Sequence, residues 1–310
     1  MGAQLRVLRQ RIKDTQSTKK ITHAMELISS SRIARAQQAV EQTLPYAMAM
    51  RWALMLAASR SRADHPLLTP VAHAKRAAVL LVTADRGLAG AYSVNAIKEA
   101  EGLASNLRDR DIEPVYYIVG RKALSYYRFR ERIVADSWNG FSDQPKFTDA
   151  KKVADRLLAD FAKDSADGGV DEVHMVYTRY IDRGKQKAHV LRVLPFDVVE
   201  ELIDTSLYKI TGGDDAGGKA ALPLYDFEPS AEQTLDALLP VYAEHLVHVA
   251  LLESAASEHA ARQRAMKSAT DNAEDLIRKY IRQANQARQA EITQEISEIV
   301  GGANALAESH

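Results

Sequence analysis

The sequence contains no cysteine among its 310 residues. Thiol nucleophiles, thiolate metal sites and disulfides are therefore excluded as a basis for its function. Aromatic residues make up only 6% of the chain, a share that we expect when alanine-rich helices carry much of the structure. Lysine plus arginine and aspartate plus glutamate both number 41, so the net charge is zero. Without a basic excess over the whole surface, nucleic-acid binding is not indicated.

Glycine and proline are also absent from two long segments near the ends of the chain. The C-terminal segment covers residues 241–300, and the N-terminal segment covers residues 3–44. Continuous helices of these lengths would span about 90 Å and about 60 Å at a rise of about 1.5 Å per residue. Charges interrupt the C-terminal segment at nearly every turn, which argues against a membrane span and predicts no direct membrane insertion.

The spacing of apolar residues predicts that the two segments pair as a long antiparallel coiled coil, because steps of three or four keep one seam facing a partner. The C-terminal seam is alanine-rich: Met266, Ala269, Ala273, Ile277, Tyr280, Ala284 and Ala287. The N-terminal seam comprises Leu5, Leu8, Ile12, Ile21, Met25 and Ile28. Pro45 is expected to end or kink its helix. The C-terminal helix is expected to overhang by about 30 Å, with little apolar surface there.

Between these segments the apolar pattern changes to that of an α/β domain. Short apolar runs predict buried parallel strands at 77–82, 114–119 and 172–177, with helices at 93–107 and 148–162 between them. The fold class is therefore α/β, with a central Rossmann-like domain at 75–205. It is flanked by helices at 1–60 and 230–308 and by a linker at 206–229. Ser230 and Gln233 resemble a capping box at the start of the C-terminal helix.

Three short motifs resemble chemical sites, and each has a more ordinary interpretation. Residues 85–90 read Asp-Arg-Gly-Leu-Ala-Gly, which lacks one glycine of a dinucleotide-binding loop, so a tight strand-to-helix turn is favoured. Residues 213–220 are one residue short of a P-loop and lack its magnesium-binding hydroxyl. His245 and His248 lie one turn apart, but the glutamate and third ligand of a zinc site are missing. We expect no cofactor, metal or catalytic site.

The N-terminal helix is cationic, with eight lysine or arginine residues in 1–40 against Asp14 and Glu26. Anionic lipid, DNA and an acidic protein are the candidate partners. The small side chains of Ala34, Ala36 and Ala39 do not form a broad membrane-binding face, and no aromatic set accompanies the charges. An acidic protein partner is therefore favoured. No apolar run follows the first cations, so we expect no secretory signal.

Three motifs, in the right order, resemble those of the gamma-subunit family of F-type ATP synthases. They are 19–27 (Lys-Lys-Ile-Thr-His-Ala-Met-Glu-Leu), 85–90, and the C-terminal stretch 266–273, 287–289 and 292–303. The resemblance implies a rotating central stalk whose terminal helices lie inside a ring of alpha and catalytic beta subunits. The α/β domain would sit near the epsilon subunit and the c-ring. Rotation of the c-ring would thus couple proton translocation to ATP synthesis or hydrolysis, with catalysis in the beta subunits.

The resemblance also implies partner-coupling residues. Arg288 and Gln289 match positions that touch a beta-subunit loop, and Lys20 and Met25 match the region near an acidic beta segment. The C-terminal motif adds Thr293, Glu295 and Glu298. His23 departs from the lysine or arginine common in the family. The implied location is peripheral, on the cytoplasmic face of a bacterial cell membrane. The alternative is a nucleotide-binding α/β protein with coiled-coil interaction arms.

Overall fold

The computed structural model describes residues 2–60, 65–196, 228 and 230–308. The P-loop-like segment at 213–220 and, apart from Glu228, the predicted linker lie outside the described residues. Within the described parts, the elements in chain order are α1 (Gly2–Arg60), β1 (Arg76–Val82), α2 (Tyr92–Asp109), β2 (Glu113–Val119), α3 (Arg121–Phe129), β3 (Val134–Trp138), α4 (Phe147–Phe161), a 3-10 turn (Ser165–Asp167), β4 (Glu172–Tyr180), β5 (Gln186–Leu194) and α5 (Ala231–Glu308).

The chain divides into two compact units. One unit combines Met1–Ser30 with Arg262–His310, and the other comprises Ser31–Ala261. Each unit therefore contains a part of both long helices. The boundaries of these units differ from those of the four predicted segments, 1–60, 75–205, 206–229 and 230–308. That these four segments are the domains of the protein stays a prediction.

The unit Ser31–Ala261 is built on a sheet of five strands in the order β3-β2-β1-β4-β5. The first four strands are parallel, and β5 runs antiparallel to β4 along one edge. The order of the parallel strands is that of a Rossmann-like sheet. The predicted α/β class with a central Rossmann-like sheet is therefore confirmed, and the three predicted strands correspond to β1, β2 and β4.

Helices cover both faces of this sheet, as a buried parallel sheet requires. On one face, Met50 of α1, Leu157 of α4 and Leu251 of α5 share a core with Leu80 of β1. On the other face, α2 and α3 pack against the alternate residues of the same strands, including Leu81. The C-terminal half of α1 and the N-terminal part of α5 are thus core elements of the sheet unit.

Of the two predicted effects of Pro45, an end or a kink, the first does not occur, because α1 continues to Arg60. A proline inside a helix costs about 3 kcal/mol through a lost hydrogen bond and a steric clash. Residues on both sides of it are buried: Leu44 packs with Leu252 of α5, and Met50 packs in the sheet core. Burial of each such side chain is worth about 1.5 to 3 kcal/mol, so tertiary packing outweighs the local cost.

α5 has 78 residues and begins directly after Ser230, as predicted. The amide of Gln233 donates a hydrogen bond of 3.2 Å to the Ser230 hydroxyl, as expected of an N-cap.

Among the described residues, α5 is the one helix with an 18-residue window apolar enough to cross a membrane, and 56% of that window is buried inside the protein. Leu235, Leu239 and Leu251 of α5 belong to the sheet core, which accounts for the apolar composition.

Asp85, directly after β1, ties together the loops at the carboxyl edge of the sheet. One carboxylate oxygen accepts a hydrogen bond of 3.2 Å from the amide of Arg121. The other accepts from the amides of Gly140 at 2.7 Å and Ser142 at 3.1 Å. Since the side chain is buried, these bonds fix three successive strand-to-helix connections on a single carboxylate.

We expect Gly120→Ala to destabilise the protein by more than about 2 kcal/mol. Gly120 has a φ of +97°, and a Cβ there would lie 2.1 Å from the carbonyl oxygen of Thr83. Gly102 in α2 is the matched control, because a Cβ there meets nothing within 4 Å and alanine is favoured in helices by about 0.5 to 1 kcal/mol. Urea unfolding should move the two variants in opposite directions; a shift of the same sign would contradict this account.

We expect Asp85→Asn to cost about 1 to 3 kcal/mol, because the amide nitrogen of asparagine cannot accept one of the buried backbone hydrogen bonds. Asp155→Asn is the control: this exposed carboxylate on α4 pairs with the half-exposed Lys151, and such pairs contribute about 0 to 1 kcal/mol. Thermal or urea unfolding of both variants measures the difference. Equal destabilisation would show that the three loops do not depend on Asp85.

Candidate functional site

α5 occupies the position in the sheet unit where a ligand would be expected. In sheets of this order, ligands bind where the strand order reverses, here between the carboxyl ends of β1 and β4. The last pair joining these strands is Leu81 with Val176, so Thr178 extends past the pairing. Its amide donates to the Ser254 hydroxyl at 3.3 Å, and the Ser257 hydroxyl donates to its carbonyl at 2.9 Å. Two serines of α5 thus satisfy the backbone of β4 at this point.

The Gly-x-x-Gly segment at 85–90 packs against the same helix. Ala84, Ala89 and Tyr92 are buried together, and Ala261 of α5 packs against them. Leu88 and Gly90 have positive φ values of 65° and 54°, which give the tight strand-to-helix turn predicted from the sequence. The segment therefore packs against α5 instead of framing an open phosphate site.

His245 and His248 pack against an aromatic ring. The centroid of the Phe147 ring lies 4.8 Å from that of His245 and 5.5 Å from that of His248. Burial lowers the pKa of both imidazoles, so the neutral form is favoured. In the described parts of the chain, no group of three or more histidine, aspartate or glutamate side chains is arranged to hold a metal ion. The pair is therefore part of the packing between α4 and α5.

In the unit that combines the chain ends, the two long helices run antiparallel. The hydroxyl oxygens of Thr22 and Thr270 are 2.7 Å apart and both residues are buried. The ammonium group of Lys19 lies 3.1 Å from a carboxylate oxygen of Glu274. Lys19 precedes Thr22 along α1, whereas Glu274 follows Thr270 along α5, which defines the opposite directions of the helices.

The seam of this coiled coil differs from the prediction on one helix only. All seven predicted seam residues of α5 are buried or half-buried. On α1 the prediction was wrong for Ile21 and Ile28, which are 61% and 54% exposed. Thr22 and Ser29 are buried in their place. Their hydroxyls are satisfied, by Thr270 for Thr22 and by a bond of 2.8 Å from the Ser29 hydroxyl to the carbonyl of Met25.

The predicted coupling residues fall into two separate groups. Five of them are exposed in the last turns of α5: Arg288, Gln289, Thr293, Glu295 and Glu298. Lys20 is exposed and Met25 is half-buried on α1. Lys19, next to Lys20, contacts Glu274, which precedes Arg288 by about 21 Å of helix. A partner that contacts both groups must therefore extend along the helices.

The sequence-based prediction did not include an apolar stripe that lies among the predicted C-terminal coupling residues. Ile292, Ile296 and Ile299 follow one another at steps of four and three, and all are exposed, Ile299 to 72%. Every residue from 292 to 301 is exposed. The expectation that this end of α5 has little apolar surface was therefore wrong. The isoleucine spacing was the available signal, and we call these three residues the tip stripe.

Comparison with solved structures supports the fold. One chain of the Euglena gracilis mitochondrial ATP synthase, in a structure of its OSCP, F1 and c-ring parts, matches with a TM-score of 0.65 at 19% identity, covering 99% of this chain and 95% of that one. A chain from a structure of the rotor of the same enzyme matches with a TM-score of 0.62 at 18% identity, covering 94% and 100%. At these identities the likeness concerns the fold alone.

Sequence comparison gives the family. The model of the ATP synthase family matches residues 4–306. The ATP synthase gamma chain of Kineococcus radiotolerans is 54% identical over 100% of this chain and 99% of its own length. That of Acidothermus cellulolyticus is 56% identical over 99% of this chain and 98% of its own. The three motifs, the antiparallel terminal helices and these full-length similarities agree, and the chain belongs to the gamma-chain family of ATP synthase.

Proposed function

We propose that this chain is the central-stalk rotor subunit of a bacterial F-type ATP synthase. It transmits rotation of the membrane c-ring to the catalytic beta subunits and so couples proton translocation to ATP synthesis or hydrolysis. Its partners are the alpha and beta subunits, the epsilon subunit and the c-ring. The chain itself supplies no catalytic group. It is held peripherally on the cytoplasmic face of the cell membrane through these partners.

The observation that carries this proposal is the exposed end of α5. The tip stripe lies between two polar edges, because at about 100° per residue Arg288 and Glu295 fall on one side of it and Gln289 and Thr293 on the other. Apolar contact is non-directional, so a surrounding ring of subunits can hold the stripe without fixing its angle. Hydrogen bonds to a charged group are worth about 1.5 to 3 kcal/mol. Such bonds from the polar edges would favour particular rotational angles of the stalk within the ring.

The second group, Lys20 and Met25, suits a weaker contact. Lys20 is exposed, and exposed ion pairs are worth about 0 to 1 kcal/mol and are screened by salt. An acidic beta segment would form and break such contacts at small cost as the stalk turns. We therefore assign Lys20 and Met25 to a passing contact and Arg288 and Gln289 to a stronger one.

The alternative, a nucleotide-binding α/β protein with coiled-coil arms, is disfavoured by the bonds of Thr178 to Ser254 and Ser257. A dinucleotide at the reversal of strand order would have to displace α5 from this position. Displacement would expose buried residues such as Leu251 and Ala260. The loss of that burial would oppose binding.

We expect the double substitution Arg288→Ala and Gln289→Ala to lower ATP turnover of the assembled complex by about ten- to a hundredfold, as loss of one charged hydrogen bond implies. Assembly should be unaffected, since both side chains are exposed. Arg282 and Gln283 are the matched control, being the same residue types, also exposed, on the same helix. Unchanged turnover in the first variant, or an equal loss in Arg282→Ala with Gln283→Ala, would refute the coupling role.

We expect no micromolar binding of ATP or NAD by the full-length chain alone, because α5 fills the crevice of the sheet. Equilibrium dialysis with each nucleotide measures this, with a known nucleotide-binding protein in parallel as the positive control. Clear micromolar binding would favour the alternative function. Co-purification with alpha and beta subunits would remain as the independent test of the rotor assignment.

A further inference from the structure

A small cavity lies inside the sheet unit where α1, α5 and the end of β4 meet. Its volume is about 80 Å³, and it is lined by Gln37, Val40, Glu41, Tyr180, Ile181, Glu253 and Ala256. A single water needs only about 10 to 15 Å³ of such space. The cavity is therefore large enough for water, and two of its lining residues carry carboxyl groups.

Glu253 is the unusual member of this set. Its side chain belongs to a residue only 3% exposed, and its Oε2 atom is buried without a hydrogen-bond partner. An ionised carboxylate in such a position costs far more free energy than the neutral acid. Burial raises the pKa of Glu253 to about 7, although the charge of Arg179 and a hydrogen bond with Tyr177 act in the opposite direction.

The groups that face Glu253 favour a proton over a metal ion as the ligand. Arg179 and Tyr177 approach from β4, and Tyr180 lines the cavity at the end of that strand. α1 contributes the amide of Gln37 and the exposed carboxylate of Glu41. Arg179 already supplies a positive charge, so a further cation would be repelled, whereas a proton neutralises Glu253 without adding bulk.

We propose that Glu253 and this cavity form a proton-binding site that controls how tightly α1 packs against α5 and β4. With the proton bound, the carboxyl group is neutral and the cavity stays free of water. The side chains of Val40 and Ala256, which line it, then remain in an apolar environment. Without it, a buried negative charge draws water into the cavity and loosens the junction. The proposal stands apart from the rotor function, since it concerns the sheet unit alone.

The site predicts a specific pH dependence of stability. A carboxyl group whose pKa is raised in the folded protein binds its proton more tightly there than in the unfolded chain, whose glutamate pKa is about 4.3. Its contribution is complete below that value and is lost as the pH rises to about 7. Through this window the unfolding equilibrium constant should rise by up to about tenfold per pH unit because of this group. Glu253→Gln, which imitates the neutral acid, should remove that part of the slope.

The test combines unfolding with a direct view of the carboxyl group. Urea unfolding of the full-length chain is measured at several pH values between about 5 and 8, together with the infrared carbonyl band of protonated carboxyl groups. We expect the wild type to lose one such band with a midpoint near pH 7, and Glu253→Gln to lack it. Glu244→Gln is the control, because Glu244 is also a buried acid of α5 but is paired with Lys151; it should keep the band.

Two results would overturn the proposal. One is a wild-type infrared spectrum that shows no protonated carboxyl group titrating near neutral pH. The other is an unfolding slope between about pH 5 and pH 7 that is the same in the wild type and in Glu253→Gln. The infrared measurement needs only the wild-type chain, so the proposal can fail even if the variant does not fold.

Discussion

The hydrogen bonds between the backbone of Thr178 and the serines of α5 determine whether the sheet binds a ligand or a helix at the reversal of its strand order. β4 extends beyond β1 at this point. The backbone amide and carbonyl of Thr178 would otherwise need water, another strand or a ligand as hydrogen-bond partners. Ser254 and Ser257 satisfy them at 3.3 and 2.9 Å. A Rossmann-like sheet thereby serves as an anchor for a helix. That same helix continues to Glu308.

The coiled coil of the chain ends is stabilised by close approach and not by large side chains. Ala273, Ala284 and Ala287 occupy its seam, and the Thr22–Thr270 pair adds a buried hydrogen bond. A buried hydrogen bond contributes about 0.5 to 1.5 kcal/mol net, and each alanine removes less apolar area from water than leucine or isoleucine would. The larger apolar residues, such as Ile21 and the tip stripe, are exposed instead. The coiled coil thus leaves its larger apolar side chains exposed for contact with partner subunits.

The sequence predicts what local patterns control. Uninterrupted helical segments, the alanine seam of α5 and the apolar strands β1, β2 and β4 are all recognisable, because each repeats at its own period. β3 has no buried residue among its five, and β5 is mostly half-buried, so neither gives an apolar run. Spacing alone does not reveal that Thr22, once bonded to Thr270, replaces Ile21 in the seam. The roles of Arg288 and Gln289 come from family resemblance and remain a proposal.

The Thr22–Thr270 contact joins residues that are 248 positions apart, and this separation orders events during synthesis. At about 5 to 20 residues per second, the ribosome releases the partner of the N-terminal helix roughly 10 to 50 s after that helix has emerged. Through this interval Leu8 and Ile12 have no seam to enter, since the helix that covers them is made last. The coil can therefore close only when translation is nearly complete.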